Sequence, residues 1–123
     1  MAALPIERLD LRPTHLGLLR SLLARELPHA EIWAFGSRVH GNGHEASDLD
    51  LVVRNPAALL TPTPGVAALR EALVESNLPI RVDLLDWAEL KPHFWLELER
   101  AYVVVQAVAP GTGAADQTLG KAS

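Results

Sequence analysis

Apolar and polar residues alternate along this chain with two different periods. Two stretches repeat apolar residues at the 3.6-residue spacing of a helix, residues 11–27 and 66–77. Four shorter apolar runs predict strands at residues 31–35, 47–54, 79–86 and 101–108. A third helix is predicted at residues 86–100, between the last two strands.

The helix boundaries carry recognisable start and stop signals. Thr14 is expected to cap the first helix, and Pro28 is expected to end it. Asp86 is the expected cap of the third helix, and Glu89, three residues later, completes a capping box. The second helix has a predicted apolar side made of Val66, Leu69, Leu73 and Val74.

The order of these elements predicts the fold class. Helix, strand, strand, helix, strand, helix and a final strand are typical of an α/β (α+β) protein, with a compact sheet and helices packed against it. A chain of 123 residues fits one domain with a real core. We expect that domain to cover residues 1–109, and the small and polar residues 110–123 to form a flexible tail.

Composition excludes several classes of protein. The formal net charge of −4 argues against a protein whose main task is to bind a nucleic-acid backbone. The chain has no cysteine, so disulfides, thiolate catalysis and cysteine zinc sites are excluded. Without an apolar stretch of membrane-spanning length, or a basic start followed by an apolar run, the expected location is the cytoplasm, away from membranes.

Acidic residues interrupt two of the predicted strands. Asp48 and Asp50 alternate with leucines, so both side chains point to one face of their strand. Asp83 and Arg81 share one face of the strand at 79–86, and Asp83 would meet the other two aspartates if these strands are neighbours. Three nearby carboxylates repel each other, and Mg²⁺ would relieve the repulsion. Arg81 would either contact phosphate or neutralise the carboxylates.

A glycine-serine pair supplies a second element of the same chemistry. Gly36 ends the strand at 31–35, and Ser37 begins a short predicted helical turn. Free backbone N–H groups and the serine hydroxyl at such a turn can bind a phosphate. Glycine leaves room for the phosphate because it has no side chain.

The spacing of these residues is more specific than any one of them. An isolated D-x-D pair often simply begins or ends a surface strand. Gly-Ser followed after ten residues by D-x-D should arise by chance in roughly one chain of this length per thousand. The stretch "FGSRVHGNGHEASDLDL" resembles "FGSRARGDARPDSDIDL", the usual sequence motif of the minimal nucleotidyltransferases (MNT proteins) of the DNA polymerase β type. The resemblance extends over about residues 14–105.

The resemblance implies a small polymerase β-like fold with a short mixed sheet, and transfer of a nucleotide from ATP with Mg²⁺. It implies that Asp48 and Asp50 bind the metal and that Asp83 completes the catalytic site. It also implies that Gly36 and Ser37 hold the triphosphate, with Arg38 as a further nucleotide-binding residue.

Minimal members of this family are typically paired with a helical HEPN-type ribonuclease toxin. The resemblance therefore implies an antitoxin that moves AMP from ATP to a tyrosine of that toxin. Two alternatives stay open: a binding subunit whose site is vestigial, and a small-molecule enzyme similar to aminoglycoside nucleotidyltransferases that works as a homo-oligomer.

The aromatic residues of the predicted third helix have a structural explanation. Trp87, Phe94 and Trp95 are expected to belong to the core and not to a base-stacking platform. Because Phe94 and Trp95 are adjacent, they are not expected to face inward together on one narrow stripe. One of them is therefore predicted to lie at a protein interface.

Overall fold

The fold is taken from a computed structural model that describes residues 3–41 and 47–108. The predicted tail at 110–123 lies outside the described residues. The strands are β1 (Ala3–Leu4), β2 (Glu31–Phe35), β3 (Leu49–Arg54), β4 (Val82–Asp86) and β5 (Tyr102–Gln106). The α-helices are α1 (Pro13–Glu26), α2 (Ser37–His40), α3 (Val66–Glu75) and α4 (Pro92–Arg100). Two 3₁₀ turns cover Ile6–Arg8 and Trp87–Glu89.

The five strands form one mixed sheet in the order β1-β5-β2-β3-β4. β2 is antiparallel to both β3 and β5, whereas β3 and β4 are parallel, as are β1 and β5. The parallel β3–β4 pair needs a crossover, which α3 supplies. The mixed α/β architecture predicted from the sequence is confirmed.

The two faces of the sheet carry separate apolar clusters. On one face, alternate residues of the central strands pack with α1 and α3; Leu49, Leu51 and Val53 of β3 lie in this cluster and are fully buried. On the other face lies a smaller aromatic cluster, whose buried members are Trp33, Val52, Trp87, Leu98 and Tyr102. Burial of each large apolar side chain contributes about 1.5–3 kcal/mol, so the first cluster holds most of the core energy.

The prediction of one continuous third helix at residues 86–100 was wrong. The chain forms a 3₁₀ turn at Trp87–Glu89 and then begins α4 at Pro92. Proline is favoured at the first helical position, and it disfavours helical backbone in the residue before it. Asp86 does act as a cap, because its side chain accepts a hydrogen bond from the N–H of Ala88, but it caps the 3₁₀ turn.

Three smaller expectations are also corrected. Pro13, not Thr14, begins α1, and no side chain caps that helix. Val74 was expected on the apolar side of α3 but is 81% exposed. The N-terminal strand β1 was not predicted, because two residues are too few to show a period.

Adjacent Phe94 and Trp95 both reach the aromatic cluster. The Phe94 ring meets Phe35 edge-on at 6.4 Å, and the Trp95 ring stacks on Trp87 at 5.5 Å. The indole N–H of Trp95 also donates to the Trp87 carbonyl at 2.7 Å. Both side chains are half-buried, so the argument that only one of them could face inward was wrong. Within residues 3–41 and 47–108, no helix has the length and apolar character needed to cross a membrane.

Candidate active site

The aspartates lie on the face of the sheet that carries the aromatic cluster. Asp50 of β3 is in register with Asp83 of β4, and neighbouring residues in register point to the same face. Asp48 lies just before β3, two residues from Asp50. On the opposite side of Asp50, its cross-strand partner in β2 is Phe35. The structure therefore brings Asp50 and Asp83 side by side at one end of the parallel strand pair.

Gly36 lies directly against Asp50. Its φ of +85° is in the left-handed region, which favours glycine. A Cβ added at Gly36 would lie only 2.5 Å from Oδ2 of Asp50. The turn continues into α2, where the N–H groups of Val39 and His40 donate to the Gly36 carbonyl. Ser37 begins α2 and is partly exposed, so the glycine-serine pair and the aspartates meet at one place.

The carboxylates affect one another electrostatically. Burial raises the pKa of the Asp50 carboxyl above its ordinary value, and the negative charges of Asp83 and Asp48 raise that pKa further. Arg81 supplies nearby positive charge: its Nε lies 3.6 Å from Oδ1 of Asp83 and 4.0 Å from Oδ2 of Asp48. An oppositely charged ligand at this end of the sheet would relieve the remaining repulsion.

Comparison with known proteins identifies the family. The nucleotidyltransferase domain family matches residues 17–109 of this chain. The chain belongs to the nucleotidyltransferase family. "Probable protein adenylyltransferase MntA" of Haemophilus influenzae is 40% identical to it over 101 residues, which cover 80% of this chain and 85% of that protein.

A solved structure has the same fold as this nucleotidyltransferase. It is described as a crystal structure of a toxin-antitoxin with AMP-PNP, and it aligns with a TM-score of 0.60 and 23% identity. The alignment covers 76% of this chain and 73% of the other. The likeness agrees with the polymerase β-like arrangement of sheet and helices that the sequence predicts.

The carboxylates of this nucleotidyltransferase suit Mg²⁺ by their chemistry. Among the residues that the structure describes, no group of three or more His, Cys, Asp or Glu side chains is gathered closely enough to hold a metal ion alone. Mg²⁺ does not need such a closed cage, because it keeps several waters and is typically held by one or two carboxylates plus substrate phosphates. Asp50 and Asp83, adjacent and partly exposed, fit that requirement.

Arg38, the third predicted nucleotide-binding residue, is held by backbone carbonyls in this structure. Its side chain is buried; Nε donates to the carbonyl of Ser47 at 3.0 Å, and Nη1 donates to the carbonyl of Asp10 at 2.6 Å. The Asp10 N–H in turn donates to the Arg38 carbonyl. In this structure Arg38 therefore supports the segment that leads into Asp48.

Sequence reasoning missed two neighbours of the site. The support role of Arg38 was not found because charged residues are most often exposed, and nothing in "GSRVH" marks this arginine as buried. Phe35 was assigned only to a strand, although it directly precedes Gly36. Its position beside Asp50 depends on the β2–β3 register, which the sequence pattern does not specify.

Proposed function

We propose that this nucleotidyltransferase transfers AMP from ATP to a hydroxyl group of a partner protein, the tyrosine of a HEPN-type toxin, and so acts as an antitoxin. The observation that carries the proposal is the 40% identity to a protein named as a probable protein adenylyltransferase, over most of both chains. The fold neighbour described as a toxin-antitoxin with AMP-PNP supports the same pairing of nucleotide and toxin.

Each residue of the site has a place in this reaction. Asp50 and Asp83, which are in register, are the proposed first ligands of Mg²⁺. Asp48 is the proposed third ligand, which moves toward them when the metal and triphosphate bind, since the three carboxylates are not gathered around one point in this structure. Gly36 and Ser37 hold the triphosphate at the start of α2, where the missing glycine side chain leaves space beside Asp50. Arg38 fixes the position of the Asp48 segment.

The transfer step is an in-line displacement at the α-phosphorus. The acceptor oxygen forms a bond to that phosphorus, the bond to the β-phosphate bridging oxygen breaks, and pyrophosphate leaves. The proton of the acceptor hydroxyl passes to one of the three carboxylates. Mg²⁺, when bound, would neutralise the triphosphate and stabilise the leaving oxygen. Because the carboxylates are held on sheet strands, they can orient the reacting groups precisely enough for this geometry.

The acceptor hydroxyl comes from the partner in this proposal. The part of the chain that the structure describes consists of one sheet with its packed helices, and it contains no separate acceptor-binding domain. An attacking hydroxyl must be held in line with the α-phosphate, and a docked protein surface can supply both the hydroxyl and its orientation.

The test is a transfer assay with α-labelled ATP, Mg²⁺ and a purified HEPN-type toxin, chosen by inspecting the genes next to the one that encodes this chain. We expect label on a tyrosine of the partner, identified by mass spectrometry, and no label with Asp50→Asn. Glu97→Gln, which removes an exposed negative charge on α4, is the matched control and should label at the wild-type rate. If the wild type and Asp50→Asn neutralise the toxin equally without labelling it, the protein is a binding subunit with a vestigial site.

A further inference from the structure

Arg81 lies near two carboxylates of the site, Asp48 just before β3 and Asp83 on β4. Its Nε lies 4.0 Å from Asp48 Oδ2 and 3.6 Å from Asp83 Oδ1. In the described part of the chain, the ion pairs of Arg81 are with these two carboxylates and not with Asp50. The guanidinium therefore lies against two of the three proposed metal ligands.

The side chain of Arg81 is held weakly, whereas its backbone is fixed. The side chain is 76% exposed, and the side chains of Asp48 and Asp83 are 42% and 44% exposed. Exposed ion pairs at such distances contribute little, because water and salt screen them. The Arg81 carbonyl, however, accepts a hydrogen bond from the Leu49 N–H at 2.9 Å. The guanidinium can therefore swing away while its Cα stays beside β3.

We propose that Arg81 is an internal counter-ion that neutralises Asp48 and Asp83 in the metal-free protein and is displaced when a divalent cation binds. The inference rests on the proposed function, since it takes these carboxylates as metal ligands. The single, weakly held charge of the guanidinium is replaced by a divalent cation, which carries two charges and contacts the carboxylate oxygens directly. Arg81 thus stabilises the empty site and competes with the metal for it.

The competition predicts the metal affinity of variants. Measured by calorimetry with Mn²⁺, Arg81→Gln should bind the metal about two- to fivefold more tightly than wild type, because no ion pair has to be broken. Arg81→Lys keeps the charge and should bind nearly as wild type does. Arg100→Gln removes an exposed arginine from the end of α4 and is the control for net charge; its affinity should not change.

A second measurement follows Arg81 in the unmodified protein. In ¹⁵N spectra of the arginine side chains, the Nε signal that Arg81→Lys removes should shift when Mg²⁺ is added, since the guanidinium leaves the carboxylates. An unshifted Nε signal would overturn the inference, as would an Arg81→Gln affinity equal to or weaker than that of wild type. Wild-type protein that binds no Mn²⁺ would instead overturn the metal site of the proposed function.

Discussion

The parallel strands β3 and β4 carry charged residues at both ends. At one end the charged side chains are partly exposed and crowded together, and at the other end they are mostly buried and paired. At the start of the strands, Asp50 and Asp83 lie side by side with the exposed Arg81 nearby. At the other end lie Asp86, three residues after Asp83, and Arg54, four residues after Asp50. The carboxylates at the start are partly exposed, whereas Asp86 and Arg54 are mostly withdrawn from water.

The charges at the far end have partners within the fold, although Nε of Arg54 is buried without a hydrogen-bond partner in the described ranges of the chain. Asp86 accepts hydrogen bonds from the N–H groups of Thr63 at 3.0 Å and Ala88 at 3.2 Å. The Arg54 guanidinium pairs with Glu31 and lies 4.2 Å and 4.4 Å from the ring centroids of Trp33 and Trp87. Removing the Asp86 carboxylate would leave two N–H groups without their acceptor, and removing the Arg54 guanidinium would leave Glu31 without its cation.

The charges at the near end lack such partners. Asp50 faces two like charges, and the positive charge supplied by Arg81 is loosely held. Stability does not explain why three carboxylates would be placed together, because their mutual repulsion works against folding. Charge that the fold does not satisfy indicates a ligand, and this difference separates the candidate active site from structural charge on the same two strands.

The largest expected effect is the loss of activity on changing Asp83, compared with a loss of stability on changing Asp86, on the same strand β4. Asp83→Asn should reduce AMP transfer by roughly 10²–10⁴-fold, because a proposed metal ligand is lost, while the free energy of unfolding changes by less than about 0.5 kcal/mol. Asp86→Ala should do the reverse, lowering the free energy of unfolding by about 1–3 kcal/mol through loss of two hydrogen bonds. Pyrophosphate release and urea unfolding measure the two quantities. Equal stability losses in both variants would remove the distinction between the two ends.

The next largest expected effect is on stability, when Arg54 and Arg81 are each replaced by methionine. Arg54→Met keeps an apolar stem but removes the ion pair and both ring contacts, so the free energy of unfolding should fall by about 2–4 kcal/mol. Arg81→Met should lower it by at most about 1 kcal/mol, because its ion pairs are exposed. Thermal and urea unfolding of both variants in metal-free buffer provide the comparison. A large loss with Arg81→Met would mean that the near end is also structural.

Alanine substitutions at Gly36 and Gly41 test the close contact between Gly36 and Asp50. Both glycines have positive φ, +85° and +89°, so alanine is strained at each. Gly41, with ψ of 3°, lies in the αL region, where alanine should cost about 1 kcal/mol, whereas Gly36, with ψ of −156°, lies in a region that is almost confined to glycine and adds to the cost there. Only Gly36 has Asp50 in the path of a new Cβ; among the described residues, no atom lies within 4 Å of the corresponding position at Gly41. Gly36→Ala should therefore cost about 1–2 kcal/mol more than Gly41→Ala, and it should lose transfer activity. Equal unfolding energies would argue against the close contact with Asp50.

The sequence predicts the features of this site that depend on neighbouring residues, but not the contacts between residues far apart in the chain. The alternation of Leu49, Asp50 and Leu51 is local, so it correctly predicted which side chains share a face of β3. That Asp83 lies opposite Asp50 required β3 and β4 to be neighbours in one register, and the sequence could state this only as a condition.

The helices show the same limit. The apolar side of α3 was predicted one residue too wide, because Val74 follows Leu73 by about 100° around the helix axis. The break before Pro92 had a local signal, but the pattern Asp86–Glu89 was interpreted as the start of one continuous helix. Tertiary contacts, such as the N–H of Thr63 on Asp86, are invisible to such local patterns.

The smallest expected effect concerns Asp50 and pH. The pKa of Asp50 is raised in the folded protein above the ordinary value of 3.8, first by burial and then by Asp83 and Asp48. The folded state therefore binds this proton more tightly than the unfolded state does, so ionisation of Asp50 lowers stability as pH rises through the folded-state pKa. Asp50→Asn removes that ionisation and should melt roughly 1–2 °C higher than wild type at pH 7 in metal-free buffer, a small effect because the group is partly exposed to solvent.

The difference in melting temperature should close as the pH falls below 3.8, where Asp50 becomes protonated in the unfolded as well as the folded wild-type protein. Added Mg²⁺ should act in the opposite direction, raising the melting temperature of the wild type more than that of Asp50→Asn, because a ligand stabilises the state that binds it. Melting curves at several pH values, with chelator and with Mg²⁺, measure both effects. If Asp50→Asn melts well below the wild type at pH 7 without metal, the carboxylate is a structural partner like Asp86, and the contrast between the two strand ends fails at its central residue.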